Sequence, residues 1–154
     1  MKLNTGFAKF KRLHKSKNSQ TISYSQNCKN YSFIENLYKF ILAKKNSFIF
    51  ESVEKGIVRG RYTIVGFNPD RTYNIKKNKI IVDDFKKKKI VKKDTLKYLN
   101  ELFKNFKVKS SRNIPRMSSI LVGYFSYDII RLIEKIPDKC KNDIDIPDIR
   151  LMRP

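Results

Sequence analysis

The sequence is short of the residues from which catalytic and metal centres are usually built. It has one histidine, His14, and two cysteines, Cys28 and Cys140, which are far apart and lack metal-ligand spacing. A zinc site and a disulfide framework are both poorly supported by that pattern, and free thiols in a reducing cytosol fit it best. His14 stands without a serine, cysteine or carboxylate constellation and reads as a helix-face histidine, not a base. Apolar runs are only a few residues long, and the basic N-terminus is not followed by the continuous apolar stretch of a secretory signal. The expectation is a soluble cytoplasmic protein with no membrane segment. P-loop, dinucleotide fingerprint, nucleophile elbow and internal repeat are all missing, so no catalytic residue and no metal site is expected in this chain.

Acidic residues are scarce too. The 14 Asp plus Glu face 35 Lys plus Arg, a net charge of +21 that makes nucleic acid or an anionic surface a candidate partner on charge alone. The lysines, however, are scattered through every segment, whereas a binding footprint clusters on one helix or face. We therefore read a compositional bias over a nucleic-acid site, and keep a basic nucleic-acid-binding module as the alternative from a different functional class. With 154 residues and 40% hydrophobic content the chain has enough material for one domain with a core, or part of one.

What is present is organised around Asn46 to Asp70 (NSFIFESVEKGIVRGRYTIVGFNPD). SFIFES alternates with the period of two of a strand and ends in Glu51 and Ser52. Gly56 and Gly60 bracket a connection to Arg61–Phe67, a β-branched and aromatic run stopped by Pro69, so a hairpin is expected. Upstream, Phe7, Phe10, Leu13 and His14 predict a short amphipathic helix over residues 6–15, and Ile22 and Tyr24 a short strand over 21–25. Ser32 with Glu35 has the form of a capping box opening a helix to about Lys44. Its apolar stripe is Ile34, Leu37, Tyr38 and Ile41, widened by Phe33 and Phe40 for burial against a sheet.

Downstream, residues 72–75, 79–82 and 89–91 predict a three-stranded meander with turns at Lys77-Asn78 and Asp83-Asp84. The four-lysine run Lys86–Lys89 reads as a solvated edge and not as a phosphate clamp. Asp94 is placed to cap a helix running through Lys107, and residues 119–125 form an apolar strand in which Gly123 allows close backbone approach. Arg131 can pair with Asp128 or Glu134 and hold the loop that follows.

An apolar strand running into Glu-Ser, then RYTIVG and Asn-Pro, resembles the N-terminal region of anthranilate synthase component I. GYFSYDIIRLIEKIP (Gly123 to Pro137) resembles the same family, and FAKFKRL and PDIRLM sit in family-like places. The resemblance covers nearly the whole chain and implies an α+β fold: largely antiparallel sheets with helices on the outer face, the N-terminal part of a two-sheet sandwich. Residues 1–154 are then the N-terminal domain, and the C-terminal chorismate-binding region is absent from the chain. As a fragment it is expected to be inactive alone and, with sheet edges and apolar surface uncovered, poorly soluble or marginally stable.

What the family resemblance implies for function is tryptophan biosynthesis. The family converts chorismate and ammonia, drawn from glutamine by an amidotransferase subunit (component II), to anthranilate and pyruvate. It does so with Mg2+ and chorismate bound by the missing region, so no cofactor is expected here. The part carried by this chain is regulatory: the Glu-Ser pair lies where the family contacts its effector, L-tryptophan, with Ser52 the best-matched residue beside Glu51. Arg61 is added from charge and proximity across the hairpin. The structural alternative is a Glu51–Arg61 cross-strand ion pair with Ser52 capping the turn. The related aminodeoxychorismate synthase component I, on the folate pathway, is the runner-up.

If the charge is compositional, DNA or RNA binding is weak, sequence-independent and abolished by moderate salt. A salt titration of oligonucleotide binding checks this; a sequence preference that persists at physiological ionic strength would favour the nucleic-acid module.

Overall fold

The computed structural model describes residues 3, 5–16, 22–27, 31–54, 58–84, 86–106, 120–137, 139 and 144–154, without the side chains of residues 31, 53, 54 and 58–61. The chain is α+β, with helices and two antiparallel sheets. Helix α1 spans Phe7–Lys15 and α2 spans Tyr31–Leu42. The first sheet pairs β1 (Phe48–Glu54) with β2 (Val58–Gly66). The second contains β3 (Arg71–Lys76), β4 (Lys79–Asp84), β5 (Lys87–Lys92), β6 (Val122–Phe125) and β7 (Ile149–Arg153) in the order β5-β4-β3-β7-β6. Helix α3 (Thr95–Asn105) follows β5, and a 3₁₀ helix (Tyr127–Leu132) follows β6.

The meander β3-β4-β5 forms from sequence-adjacent strands because their turns are short and chemically suited. Lys77 takes a positive φ of 51° at the first turn. At the second, the Asp84 carboxylate accepts the amides of Lys86 and Lys87, at 3.3 and 3.0 Å, folding the chain back locally. Asp83 and Asp84 themselves belong to β4, so the turn lies beyond the aspartates where it was expected.

One face of the five-stranded sheet is the core. Tyr73, Ile75, Ile80, Ile149 and Leu151 are buried on it, and α3 covers them with Leu99, flanked by the partly buried Tyr98 and Leu102. The Asp94 carboxylate caps α3 by accepting the Lys97 amide at 2.9 Å, as the sequence implies. Thr95 is fully buried at the first turn of α3 and donates its hydroxyl to the Lys77 carbonyl at 2.8 Å, tying the helix start to the β3–β4 turn.

Several boundaries and faces differ from the sequence reading. Helix α2 already includes Tyr31, which puts Ser32 inside the first turn and not before it, and α2 ends at Leu42 instead of Lys44. Ile41 is buried as expected, but Phe33 and Phe40 remain largely exposed; Phe40 meets Phe67 edge-on at 5.4 Å. Helix α3 stops at Asn105, two residues short of Lys107. The strand expected over residues 21–25 is reduced to a single bridge between Leu3 and Tyr24, with Thr21 outside the described residues. Helix α1 forms where its periodicity placed it, yet no residue of it is fully buried: Phe10 and Leu13 are half-buried, and Phe7 is 77% exposed.

Strand β7 pairs with both β3 and β6, so the PDIRLM segment becomes an interior strand. Gly123 is opposite Leu151 in this pairing. A Cβ at Gly123 would lie 1.8 Å from the Arg150 carbonyl oxygen, a backbone atom that cannot give way without moving β7. Gly123→Ala is therefore expected to destabilise the fold by about 1–3 kcal/mol or more. Urea unfolding of the variant against the parent chain measures this, and an unchanged midpoint would refute the close approach.

Candidate functional site

Glu51 and Ser52 lie in the middle of β1, not at its end, because β1 continues to Glu54. The pairing with β2 is regular from Phe48↔Gly66 to Glu51↔Thr63 and resumes at Val53↔Arg59. Between those pairs Ser52 alone faces three residues, 60–62, so the register breaks opposite Ser52. Such bulges bend a strand and re-aim side chains. Gly60, expected to bracket the connection, instead lies inside β2 within this irregular stretch, and Gly56 is outside the described residues. The Ser52 hydroxyl oxygen accepts the Tyr62 amide at 3.4 Å, across the register break.

Glu51 engages a different element. The Tyr38 hydroxyl, from α2, donates to its carboxylate. This bond joins α2 to β1 next to the register break. Both strand residues are exposed, and their side chains diverge: Glu51 turns to α2, and Ser52 turns to the β2 backbone. Glu51 is registered against Thr63, so the backbone does not place it directly across from Arg61. The Arg61 backbone belongs to β2 in the stretch facing Ser52, and its side chain lies outside the described ones.

Aromatic surface flanks these polar groups. The rings of Phe48 and Phe50 are 4.9 Å apart, and Phe50 and Tyr62 are both exposed. Phe48 also fills the space over Gly66, where a Cβ would meet its ring at 2.2 Å. Chemically the region offers a carboxylate to an ammonium, hydroxyl and amide groups to a carboxylate, and flat apolar walls to a ring.

Tyr38 is the residue that the sequence reading missed, having assigned it to the apolar stripe of α2. The signal was available in its chemistry: a tyrosine on a packed helix face carries a hydroxyl that usually finds a partner, and a glutamate follows on the next strand.

Comparison with known proteins bears on what this arrangement belongs to. No family model matches the chain. It is 30% identical over 123 residues to anthranilate synthase component 1 of Cereibacter sphaeroides, covering 77% of this chain and 25% of that protein. Identity is 32% over 117 residues with anthranilate synthase component 1 of Acetivibrio thermocellus, 75% of this chain and 24% of the relative. With the Pseudomonas aeruginosa protein of the same name it reaches 34% over 122 residues, again 75% and 24%. The chain is a relative of anthranilate synthase component 1. It spans about a quarter of the length of the curated relatives that it matches.

Among the described residues no group of three or more His, Cys, Asp or Glu is placed to hold a metal ion. Nor is any helix among them long and apolar enough to cross a membrane.

The Tyr38–Glu51 bond is exposed, so Tyr38→Phe is expected to cost only about 1 kcal/mol in total stability. Amide exchange in α2 should nevertheless accelerate selectively, because the bond ties that helix to β1. Exchange rates of α2 and α3 amides, compared in the two proteins, check this; equal acceleration in both helices would contradict a local tie.

Proposed function

We propose that this chain supplies the N-terminal part of an anthranilate synthase component 1, and that its first hairpin contributes to a regulatory site for tryptophan. The observation that carries the proposal is the coincidence of two things. Relatives at 30–34% identity share one name, and the Glu51-Ser52 pair lies at the single register break of the hairpin, beside α2. The names of these relatives favour the anthranilate branch over aminodeoxychorismate synthase.

In this reading the complete protein converts chorismate and ammonia to anthranilate and pyruvate, with ammonia delivered by a glutamine amidotransferase partner. Chorismate and magnesium bind outside these residues, and the chain by itself carries no turnover. The Glu51 carboxylate receives the ammonium of the effector, exchanging with or joining the Tyr38 hydroxyl. Ser52 and neighbouring donors meet the effector carboxylate, Arg61 adds positive charge from β2, and the aromatic side chains flank the indole. Binding at a bulged, sparsely supported hairpin can then alter how β1 and α2 meet, which is a differential contact of the kind that allosteric control requires.

Ser52→Phe tests this reading in a chain completed with the remainder of the family enzyme. The added ring fills space near the effector and removes a hydroxyl while leaving distant chemistry alone. Tryptophan inhibition is expected to weaken by roughly 5-fold to 150-fold, the span of typical allosteric coupling, with basal anthranilate formation retained. Inhibition curves and thermal unfolding together decide the matter. A variant that loses stability and basal activity with an unchanged half-inhibition concentration would reduce Ser52 to a partner of the Tyr62 amide.

A further inference from the structure

A second feature lies away from the hairpin, where the β3–β4 turn meets the end of β5. Lys76, Lys77, Asn78, Lys79, Ile90, Lys92 and Lys93 line an open cavity of about 830 Å³ there. Strand register explains why so many lysines line it. Lys76 pairs with Lys79 across β3 and β4, and Lys79 pairs with Lys92 across β4 and β5. The three form one lateral row on the face of the sheet opposite the buried Ile75–Ile80 pair.

Like charges directly opposite each other in a sheet are destabilising. Elsewhere on this sheet the cost is offset. At the other end of β4–β5, Asp83 is registered against Lys88 and Asp84 against Lys87. Asp83 also forms an ion pair with Lys88 at 3.6 Å. In the cavity, Lys76 is paired with Asp145, and Lys93 with Glu101. Lys77, Lys79 and Lys92 are exposed, and no carboxylate among the described residues forms an ion pair with their ammonium groups.

The backbone beneath them is held firmly. The Lys77 amide donates to the Asp148 carboxylate at 2.6 Å, and its carbonyl accepts the buried Thr95 hydroxyl at 2.8 Å. Lys77 and Asn78 therefore project from a turn anchored to β7 on one side and α3 on the other. Asn78 adds an amide that can donate, and Ile90, 60% exposed, gives an apolar wall.

We infer that this cavity is a binding site for a compact oxyanion carrying two or more negative charges, of the phosphate type. Ammonium groups act as point charges and do not impose a planar, forked geometry, so the site selects charge density over shape. Its volume falls in the ordinary range for small-ligand sites. The site is independent of the proposed tryptophan site and of the Lys86–Lys89 edge.

Pyrophosphate is the probe. The 154-residue chain is titrated by calorimetry at about 0.15 M salt, where screening beyond about 8 Å suppresses diffuse attraction to the net charge. The expected result is saturable one-to-one binding that weakens at least about tenfold in Lys77→Gln/Lys79→Gln/Lys92→Gln. A charge-matched control on α1, Lys9→Gln/Lys11→Gln/Lys15→Gln, should bind as the parent does. Citrate competition supports recognition of multivalent oxyanions generally, and its absence narrows the class to phosphates; acetate binding as tightly as pyrophosphate overturns the requirement for two charges. Equal weakening in the two triple variants, or no saturable binding by the parent chain, would overturn the site. An oligonucleotide that outcompetes pyrophosphate and loses affinity only in the cavity variant would assign the surface to nucleic acid and overturn the small-ligand inference. Should the triple variant fail to fold, Lys79→Gln alone removes the central charge of the row, and retained parental affinity in it refutes the proposal.

Discussion

The insertion of β7 between β3 and β6 is the constraint on which the larger sheet depends. Without it β6 has no partner among the described strands, and β3, the central strand of the five-stranded sheet, loses its pairing on one side. Ile149 and Leu151 bring the apolar side chains that complete the core around Ile75 and Ile80, so the pairing and the burial are one event. Side chains fasten the insertion along the length of β3. Asp70, just before β3, donates its amide to the Arg153 carbonyl at 2.9 Å and pairs its carboxylate with the Arg153 guanidinium, which raises the arginine pKa through hydrogen bonding. Near the other end, Lys76 pairs with Asp145 and the Lys77 amide with Asp148. The hydrogen bond from Lys76 holds the Asp145 carboxyl below its ordinary value of 3.8. A depressed carboxylate stabilises the folded state above its unfolded pKa and ceases to do so as pH falls through the folded value, so this tie weakens as pH drops below about 3.8.

The hairpin that carries Glu51 and Ser52 is braced differently. Two-stranded sheets are marginal alone, and β1–β2 is its own sheet, in contact with α2 and with a few outlying side chains. Among the described residues these include the Tyr38–Glu51 bond, the Phe40–Phe67 edge contact, and the bond from Arg150 to Asn46 at 2.7 Å, made where Asn46 adopts a positive φ of 53°. Exposed Phe33, Leu42, Phe50 and Tyr62 leave considerable apolar surface around it.

Local chemistry was legible in the sequence wherever a short stretch closes on itself. The Asp94 cap, the close approach at Gly123 and the Arg131–Asp128 pair at 3.0 Å appear as read, the meander does so with its second turn just past Asp84, and Arg131 also holds the carbonyls of Ile136 and Pro137 at 2.9 Å. Faces that need a distant partner were less legible. The amphipathic pattern of α1 and the wide stripe of α2 announce burial, but the surface to cover Phe7 and Phe33 is not supplied by the described part of this chain.

By itself the sequence determined which stretches form most of the strands and helices, that Asp94 caps α3, and, through its Glu-Ser, Arg-Tyr-Thr and Gly-Tyr-Phe motifs, the family to which it is related. Such properties are local, set by side-chain period, capping groups and the steric demands of individual residues. Only the tertiary structure decided that β7 lies between β3 and β6, that Glu51 and Ser52 turn to different elements, and that Lys76, Lys79 and Lys92 share one row. Each of these depends on register between separate strands or on a neighbour supplied by another element, and a one-residue slip would send every side chain of a strand to its opposite face.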